Sequence, residues 1–351
     1  MISFRAAYLE ELDSPLVIEE IISEAPLSFG QVLIRVEAMG ICGSQLLEMS
    51  GKKGNKKFLP HLLGHEGVGV VEETGEGVTK VQSGDRVVMH WRKAMGLEGA
   101  AARFKGAGNK TIGSGPIAVF GEMAIVSENR VTKIRNEVNS TLATLLGCSL
   151  STGLGAVDKE IRLNLGATVL VLGAGGVGLA AAMGASLKGA GQIVVVDAED
   201  WKRVYVESIP GTTFVSTKEG NWKDSTQLLA QGGYDFVIEA TGSDLLRRGG
   251  LAMLADGGTM ISLGQGEGTD EIRLGNQKNA FGANGTSVIF SQGGAFNPDL
   301  DIARYEKVLS RNLHLLASMS ETTVGGLENL NGLLESLRTG RSLRPILQLR
   351  D

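Results

Sequence analysis

VLVLGAGGVG (169–178) is the stretch whose reading decides the fold. An apolar run rich in valine and leucine stops at glycine, and GVGLAAAMGASLKGA (176–190) after it can form a helix. Gly173, Gly175 and Gly178 make G-x-G-x-x-G between that strand and that helix. The first glycine permits a tight turn, the second lets the backbone approach a pyrophosphate, and the third allows close helix–strand packing. The helix N-terminus then turns free N–H groups and a positive dipole end toward phosphates. Gly176 and Val177 belong to the same cofactor-binding turn. Asp197 ends the next apolar run, QIVVVD (192–197), 19 residues after Gly178. A carboxylate there can take the adenosine ribose hydroxyls and would repel a 2′-phosphate, which favours NAD(H) over NADP(H). The alternative is a structural glycine turn beside a solvated Asp.

Outward from this turn, YDFVIEATGS (234–243) and GTMISLGQG (258–266) are further apolar runs ending in small residues. Strands alternating with helices imply a parallel sheet covered on both faces. The first 150 residues read differently. QVLIRVEAMGI (31–41), GVGVVEETGEGV (67–78), RVVMHW (86–91) and EMAIVSENRVTKI (122–134) have strand character. Residues 92–118 are rich in Gly, Ala, Lys and Arg, show no clear period, and read as a long loop or lobe. After about 290 come two amphipathic stretches, DLDIARYEKVLSRN (299–312) and GLENLNGLLESLRTG (326–340), then a short strand, RPILQL (344–349). The expectation is an α/β chain. Residues 152–289 would form a doubly wound nucleotide-binding domain, and 1–151 with 290–351 a β-rich domain.

Composition narrows the function. The 351 residues carry a net charge of −5, so a sequence-wide basic footprint for nucleic acid is absent. No run of about 18 apolar residues indicates a membrane span. The start, MISFRAAYLEELDSP, is acidic and lacks the apolar core of a secretory signal. Two cysteines are too few for a disulfide framework, so reduced thiols and a cytoplasmic location are expected. Those cysteines, Cys42 and Cys148, form with His65 a possible Zn²⁺ set that leaves a fourth position for water or substrate. Taken singly, a cysteine is more often a small buried hydrophobe.

GICGSQ (40–45), GHEGVGVVEETGEGVTKVQSGDRV (64–87), GCSLSTGLGAV (147–157) and VLVLGAGGVG follow one another along nearly the whole chain. In that order and spacing they resemble the zinc-dependent alcohol dehydrogenases of the medium-chain dehydrogenase/reductase superfamily. The resemblance implies a Rossmann domain plus a β-rich GroES-like catalytic domain. It implies that Cys42, His65 and Cys148 bind the catalytic zinc, that Glu66 can approach that zinc, and that Ser44 relays the substrate proton. Thr152 would fall near the nicotinamide, Lys202 near the adenosine ribose and Arg344 near the pyrophosphate, with Thr241 and Leu263 lining the cofactor cleft. Solvated charges at Lys202 and Arg344 and a plain turn residue at Thr241 are the alternatives. The implied activity is hydride transfer between a polyol, sugar-derived or secondary alcohol and NAD, in a homo-dimer or homo-tetramer. A zinc-free quinone or enoyl reductase of the same superfamily and a non-catalytic NAD(H)-binding sensor or interaction protein are the rivals.

Three departures stand out. Residues 92–118 hold no cysteine, so a structural zinc is not expected beside the catalytic one. Gln45 replaces the usual aspartate behind the zinc-binding histidine, and Leu47 replaces a histidine that passes the proton outward. His61 and His90 are then possible helpers or simply structural. Trp91 occupies a place where the family often sets a substrate-pocket aromatic, and an ordinary buried Trp is the alternative. The basic balance of 92–118 is either a solvated surface or an attractor for an anionic substrate.

Overall fold

The computed structural model describes residues 1–350 apart from 24, 219, 267–284 and 318, with all side chains among them except those of 55 and 317. Strands dominate the first part: β1 (Ile2–Leu9), β2 (Val17–Ser23), β3 (Gln31–Gly40), α1 (Gly43–Met49), β4 (His61–Leu62), β5 (Glu66–Thr74), β6 (Arg86–His90), β7 (Arg103–Lys105), β8 (Thr111–Gly113), β9 (Met123–Ser127), β10 (Val131–Lys133) and α2 (Ser140–Leu146). Helices and strands then alternate: α3 (Ser149–Gly155), β11 (Thr168–Leu172), α4 (Gly176–Leu187), β12 (Gln192–Asp197), α5 (Arg203–Glu207), β13 (Thr212–Ser216), α6 (Trp222–Leu229), β14 (Tyr234–Glu239), α7 (Asp244–Leu251), β15 (Leu254–Ser262) and β16 (Ser287–Phe290). The chain closes with α8 (Pro298–Leu309), α9 (Leu313–Ala317), β17 (Glu321–Gly325), α10 (Leu330–Arg338) and β18 (Pro345–Leu349).

These elements fall into two units. One comprises Met1–Cys148 and Asn297–Asp351, the other Ser149–Phe296. In the first, β1-β2-β7-β8-β4 close a small barrel, while β10-β6-β5-β3-β18-β17 form a sheet that β9 joins through β3. The period-2 alternation of β3 serves two cores at once. Val32, Ile34 and Val36 pack with Val71, Val87, Met89 and Phe120. Leu33, on the opposite face, packs with Phe4, Tyr8, Phe104 and Ile112 inside the barrel. Burying each such side chain stabilises the fold by about 1.5–3 kcal/mol.

Residues 92–118 are therefore not only a loop. β7 and β8 pair with each other, with β2 and with β4, and they close the barrel. Each is three residues long with one buried apolar residue, Phe104 or Ile112, which is too short to display alternation in the sequence. At the other end of the chain, β18 lies antiparallel to β3, with Ile346 opposite Gly40.

The second unit is a six-stranded parallel sheet in the order β13-β12-β11-β14-β15-β16. Val169–Leu172, Ile193–Val196 and Val237–Ile238 are buried outright, as strands covered on both faces must be. The strand order reverses between β11 and β14. A crevice outside the carboxyl ends of the strands at such a point is where doubly wound sheets take ligands. No single helix among the described residues is long and apolar enough to cross a membrane.

Candidate metal centre and cofactor turn

Three elements of the first unit deliver the thiols and the imidazole. β3 runs out at Gly40, and two residues later Cys42 caps the N-terminus of α1. β5 begins at Glu66, so His65 stands at its entrance, and pairing of Met39 with Gly67 sets it at the same end of the sheet as Cys42. α2 ends at Leu146, and Cys148 follows. One ligand atom from each of Cys42, His65 and Cys148 lies within 4.8 Å of the other two. Two sulfurs and one nitrogen at that spacing fit zinc, with a fourth tetrahedral position left over.

Gln45, fully buried, locks two of these residues together. Its Oε1 accepts the Cys42 N–H at 2.7 Å, and its Nε2 stands 2.5 Å from His65 Nδ1. The opposite amide setting gives up the Cys42 bond and accepts an Nδ1–H, the tautomer that bares His65 Nε2 for a metal. A neutral amide can therefore orient the ring as the usual carboxylate would, without adding charge.

Glu66 and Arg344 form a fully buried ion pair beside this set, at 2.5 Å. Glu66 Oε1 lies 2.3 Å from where a Cβ on residue 40 would stand, so only glycine fits there. The other oxygen, Glu66 Oε2, has no hydrogen-bond partner among the described residues. Burial raises the Glu66 carboxyl, and the nearby Arg344 opposes that rise. The Cys148 thiol holds Cys42 well below the usual thiol range, against burial, and Arg344 adds to the pull. Arg344 stays protonated although burial opposes it, because Cys42, Glu66 and Cys148 surround it. The resemblance assigned Arg344 to a pyrophosphate; the structure sets its guanidinium against Glu66.

Ser44, on α1, has a buried Oγ with no hydrogen-bond partner among the described residues. Of the two remaining histidines singled out in the sequence, His61 pairs with Glu48 at 3.2 Å. His90 is fully buried, its Nδ1 is 2.6 Å from the Arg92 carbonyl, and burial lowers its pKa to about 3. Such an imidazole stays neutral and carries no proton outward. Trp91 is half-buried at the end of β6; its carbonyl accepts from Arg130 and its ring lies 5.9 Å from the Arg92 guanidinium. In the lobe, Lys93 pairs with Glu98 at 2.6 Å, Lys110 with Glu10, and Lys105 bonds Thr111 at 3.0 Å. Of the lobe's five basic residues, Lys93 and Lys110 thus face carboxylates, one inside the lobe and one outside it.

In the second unit the glycine turn has the shape its sequence demands. Gly173 adopts φ +101°, and a Cβ on Gly178 would sit 1.8 Å from the Gly173 carbonyl oxygen. A Cβ on Gly175 would project into open space, the cradle a phosphate needs. Gly176, Val177 and Gly178 form the first turn of α4. Asp197 ends β12 and accepts the Ala174 N–H at 2.7 Å and the Glu199 N–H at 2.9 Å, while Lys202 Nζ lies 3.0 Å from both of its oxygens. Thr152 is buried on α3. Thr241 and Leu263 follow β14 and β15, so both stand at the carboxyl ends of strands. Glu239, the buried last residue of β14, belongs to no motif that would mark it in the sequence.

Comparison with known proteins agrees with this geometry. The family model of the alcohol dehydrogenase GroES-like domain matches residues 28–136, and that of the zinc-binding dehydrogenases matches residues 176–311. The chain is 31% identical over 298 residues to S-(hydroxymethyl)glutathione dehydrogenase of Saccharomyces cerevisiae, covering 76% of this chain and 77% of that protein. It is 31% identical over 301 residues to alcohol dehydrogenase class-3 of Drosophila melanogaster, covering 78% of this chain and 79% of that one. Among solved structures, an alcohol dehydrogenase zinc-binding domain protein from Burkholderia ambifaria superposes over the full length of both chains with a TM-score of 0.90 at 25% identity. Benzyl alcohol dehydrogenase from Acinetobacter calcoaceticus shares the fold at a TM-score of 0.89 and 22% identity, again over both full lengths.

Proposed function

The chain belongs to the zinc-dependent alcohol dehydrogenases of the medium-chain dehydrogenase/reductase superfamily, and from that premise we propose that it moves a hydride between a small alcohol and NAD at one zinc site. It is an oxidoreductase of the alcohol dehydrogenase type. The observation that carries the zinc reading is the convergence of Cys42, His65 and Cys148. A bound zinc ion supplies Lewis-acid polarisation of the substrate oxygen. Ser44 holds the hydroxyl proton, its partnerless Oγ being free to accept one bond and donate another. Gln45 orients the imidazole, and Arg344 balances the negative charge of the thiolates and Glu66. Asp197 is the acceptor for ribose hydroxyls and excludes a 2′-phosphate, which supports NAD over NADP.

A polyol, sugar-derived or secondary alcohol is the substrate class proposed, with Trp91 bordering its pocket. The pairing of Lys93 and Lys110 with carboxylates supports a neutral alcohol over an anionic one. Two thiols serving a metal also fit a reducing compartment such as the cytoplasm, and a homo-dimer or homo-tetramer is the assembly proposed. The zinc-free reductase reading is disfavoured by the intact ligand set. The test is an NAD⁺-coupled screen of alcohols, polyols and sugar derivatives on protein assayed for zinc. Turnover that survives complete removal of zinc would end this reading.

A further inference from the structure

The second unit holds a buried carboxylate that the preceding chemistry does not use. Glu239 ends β14, and its side chain is fully enclosed. Its Oε1 accepts the N–H of Thr241 at 2.6 Å, the hydroxyl of Thr241 at 2.6 Å and the N–H of Gly242 at 2.7 Å. Its Oε2 accepts the Ser262 hydroxyl at 3.1 Å and faces Arg247 at 3.6 Å. The Glu239 carbonyl takes the N–H groups of Leu263 and Gly264, at 2.7 and 3.1 Å. One residue thereby holds both the turn after β14 and the exit from β15.

That turn abuts the glycine-rich one. A Cβ on Gly173 would lie 2.6 Å from Thr241 Cγ2, and a Cβ on Gly264 would lie 1.9 Å from Gly242 N. Three carboxyl-end segments, 173–178, 241–243 and 263–264, therefore converge where the strand order reverses. Asp197 lies on the β12 side of β11, the side of the adenosine half. The segments tied to Glu239 lie on the β14–β15 side, under the other half of a dinucleotide laid across that reversal.

We propose that Glu239 is the positioning residue for the nicotinamide half of the cofactor, acting through Thr241, Gly242 and Leu263 without touching the ligand. The inference rests on reading Gly173–Gly178 as the dinucleotide turn. Several charge-assisted bonds converge on one enclosed carboxylate, and each is stronger than a neutral one. Glu239→Gln keeps the size and the Oε1 acceptor but removes the charge and turns an NH₂ toward Arg247. The turn is then held more loosely.

The test uses the whole enzyme and two probes, NADH and AMP, each titrated by fluorescence or calorimetry. AMP spans only the adenosine half. Glu239→Gln is expected to weaken NADH about tenfold and to change AMP by less than about twofold, with KM for NAD⁺ rising by the NADH factor and kcat nearly kept. Unchanged NADH affinity, or equal weakening of NADH and AMP, overturns the proposal, since a general loosening of the unit would not spare AMP. If Glu239→Gln does not fold, Thr241→Val removes one of the bonds while leaving the carboxylate in place, and the same selective loss of NADH, smaller in size, is expected. Wild-type protein that binds neither NADH nor AMP removes the cofactor reading itself, an outcome distinct from selective failure of the variant.

Discussion

Glu66 and Glu128 are buried in the same unit and are treated in opposite ways. Glu128 Oε1 accepts the N–H groups of Thr79 and Lys80 at 2.6 and 2.7 Å, and its Oε2 accepts that of Leu97 at 2.7 Å. Burial pushes its carboxyl up, but those backbone bonds outweigh it and hold the group below its ordinary range. Glu66 has Arg344 on one oxygen and nothing on the other, and burial wins. Glu128 joins 79–80 to the start of the lobe at Leu97, where the lobe has no cysteines to bind a metal. Glu98 adds to this with Lys93, Asn129 and Arg130, chiefly through Lys93, which holds its carboxyl near a pKa of about 2. A saturated carboxylate is a structural tie. A half-saturated one, close to Cys42 and Arg344, keeps an acceptor that no structural tie has used.

The contrast breaks first at the metal set. Cys42→Ala or His65→Ala is expected to drop zinc from about one per chain to none and turnover by about a thousandfold or more, read by elemental analysis and steady-state assay. Retained zinc and rate in both variants would mean that the convergence of ligands is incidental. Next, Glu128→Ala leaves three backbone N–H groups without their acceptor and should cost about 3–5 kcal/mol of stability, seen as a lower urea midpoint. Zinc content and kcat below the unfolding range should not move, and a zinc loss here would erase the distinction between tie and site. Gln45→Ala is a smaller test of the same boundary. It should weaken zinc about 10–100-fold in a chelator competition, because a histidine ligand loses its orienting partner.

The smallest effect concerns His90, which sits opposite Glu66 across β5 and β6 yet behaves like Glu128. Its needs are met by the Arg92 carbonyl and by Thr132 at 3.0 Å. Its folded pKa of about 3 lies below the unfolded value of 6.5, so the unfolded chain takes the proton first as the pH falls. Stability from this residue is complete above about pH 6.5 and is lost toward pH 3, at about 1.4 kcal/mol per pH unit. His90→Gln should flatten that part of the stability–pH profile, measured as urea midpoints at pH 5 and 7. A slope equal to that of the wild type would assign the acid sensitivity to the carboxylates alone.

The nucleotide unit was legible in the sequence because strands buried on both faces are continuous apolar runs, and because Gly173 and Gly178 must be glycine for steric reasons. The proposed zinc set, Cys42, His65 and Cys148, was legible from residue chemistry as a possibility and from the resemblance as an assignment. Three scattered residues carry no spacing rule until β3, β5 and α2 bring them together. The barrel hairpin at 103–113 escaped because one buried residue per strand makes no period. Glu128 and Glu239 escaped for another reason: Glu128 is held by backbone N–H groups, which every residue has, and Glu239 by two more together with hydroxyls and a guanidinium from three other positions, so no local pattern of side chains announces them. Gln45 was visible as a departure, but its placement between Cys42 and His65 was not.

Glu66 and Arg344 are 278 positions apart, although they touch. Cys42, His65 and Cys148 have all been synthesised once residue 148 is made, while Arg344 arrives roughly 200 residues later, or about 10–40 s at a ribosome's pace. For that interval the nascent chain carries Cys42, His65 and Cys148, the proposed zinc set, but not Arg344. The two thiols and Glu66 are therefore made well before the guanidinium that sits against Glu66 in the folded chain.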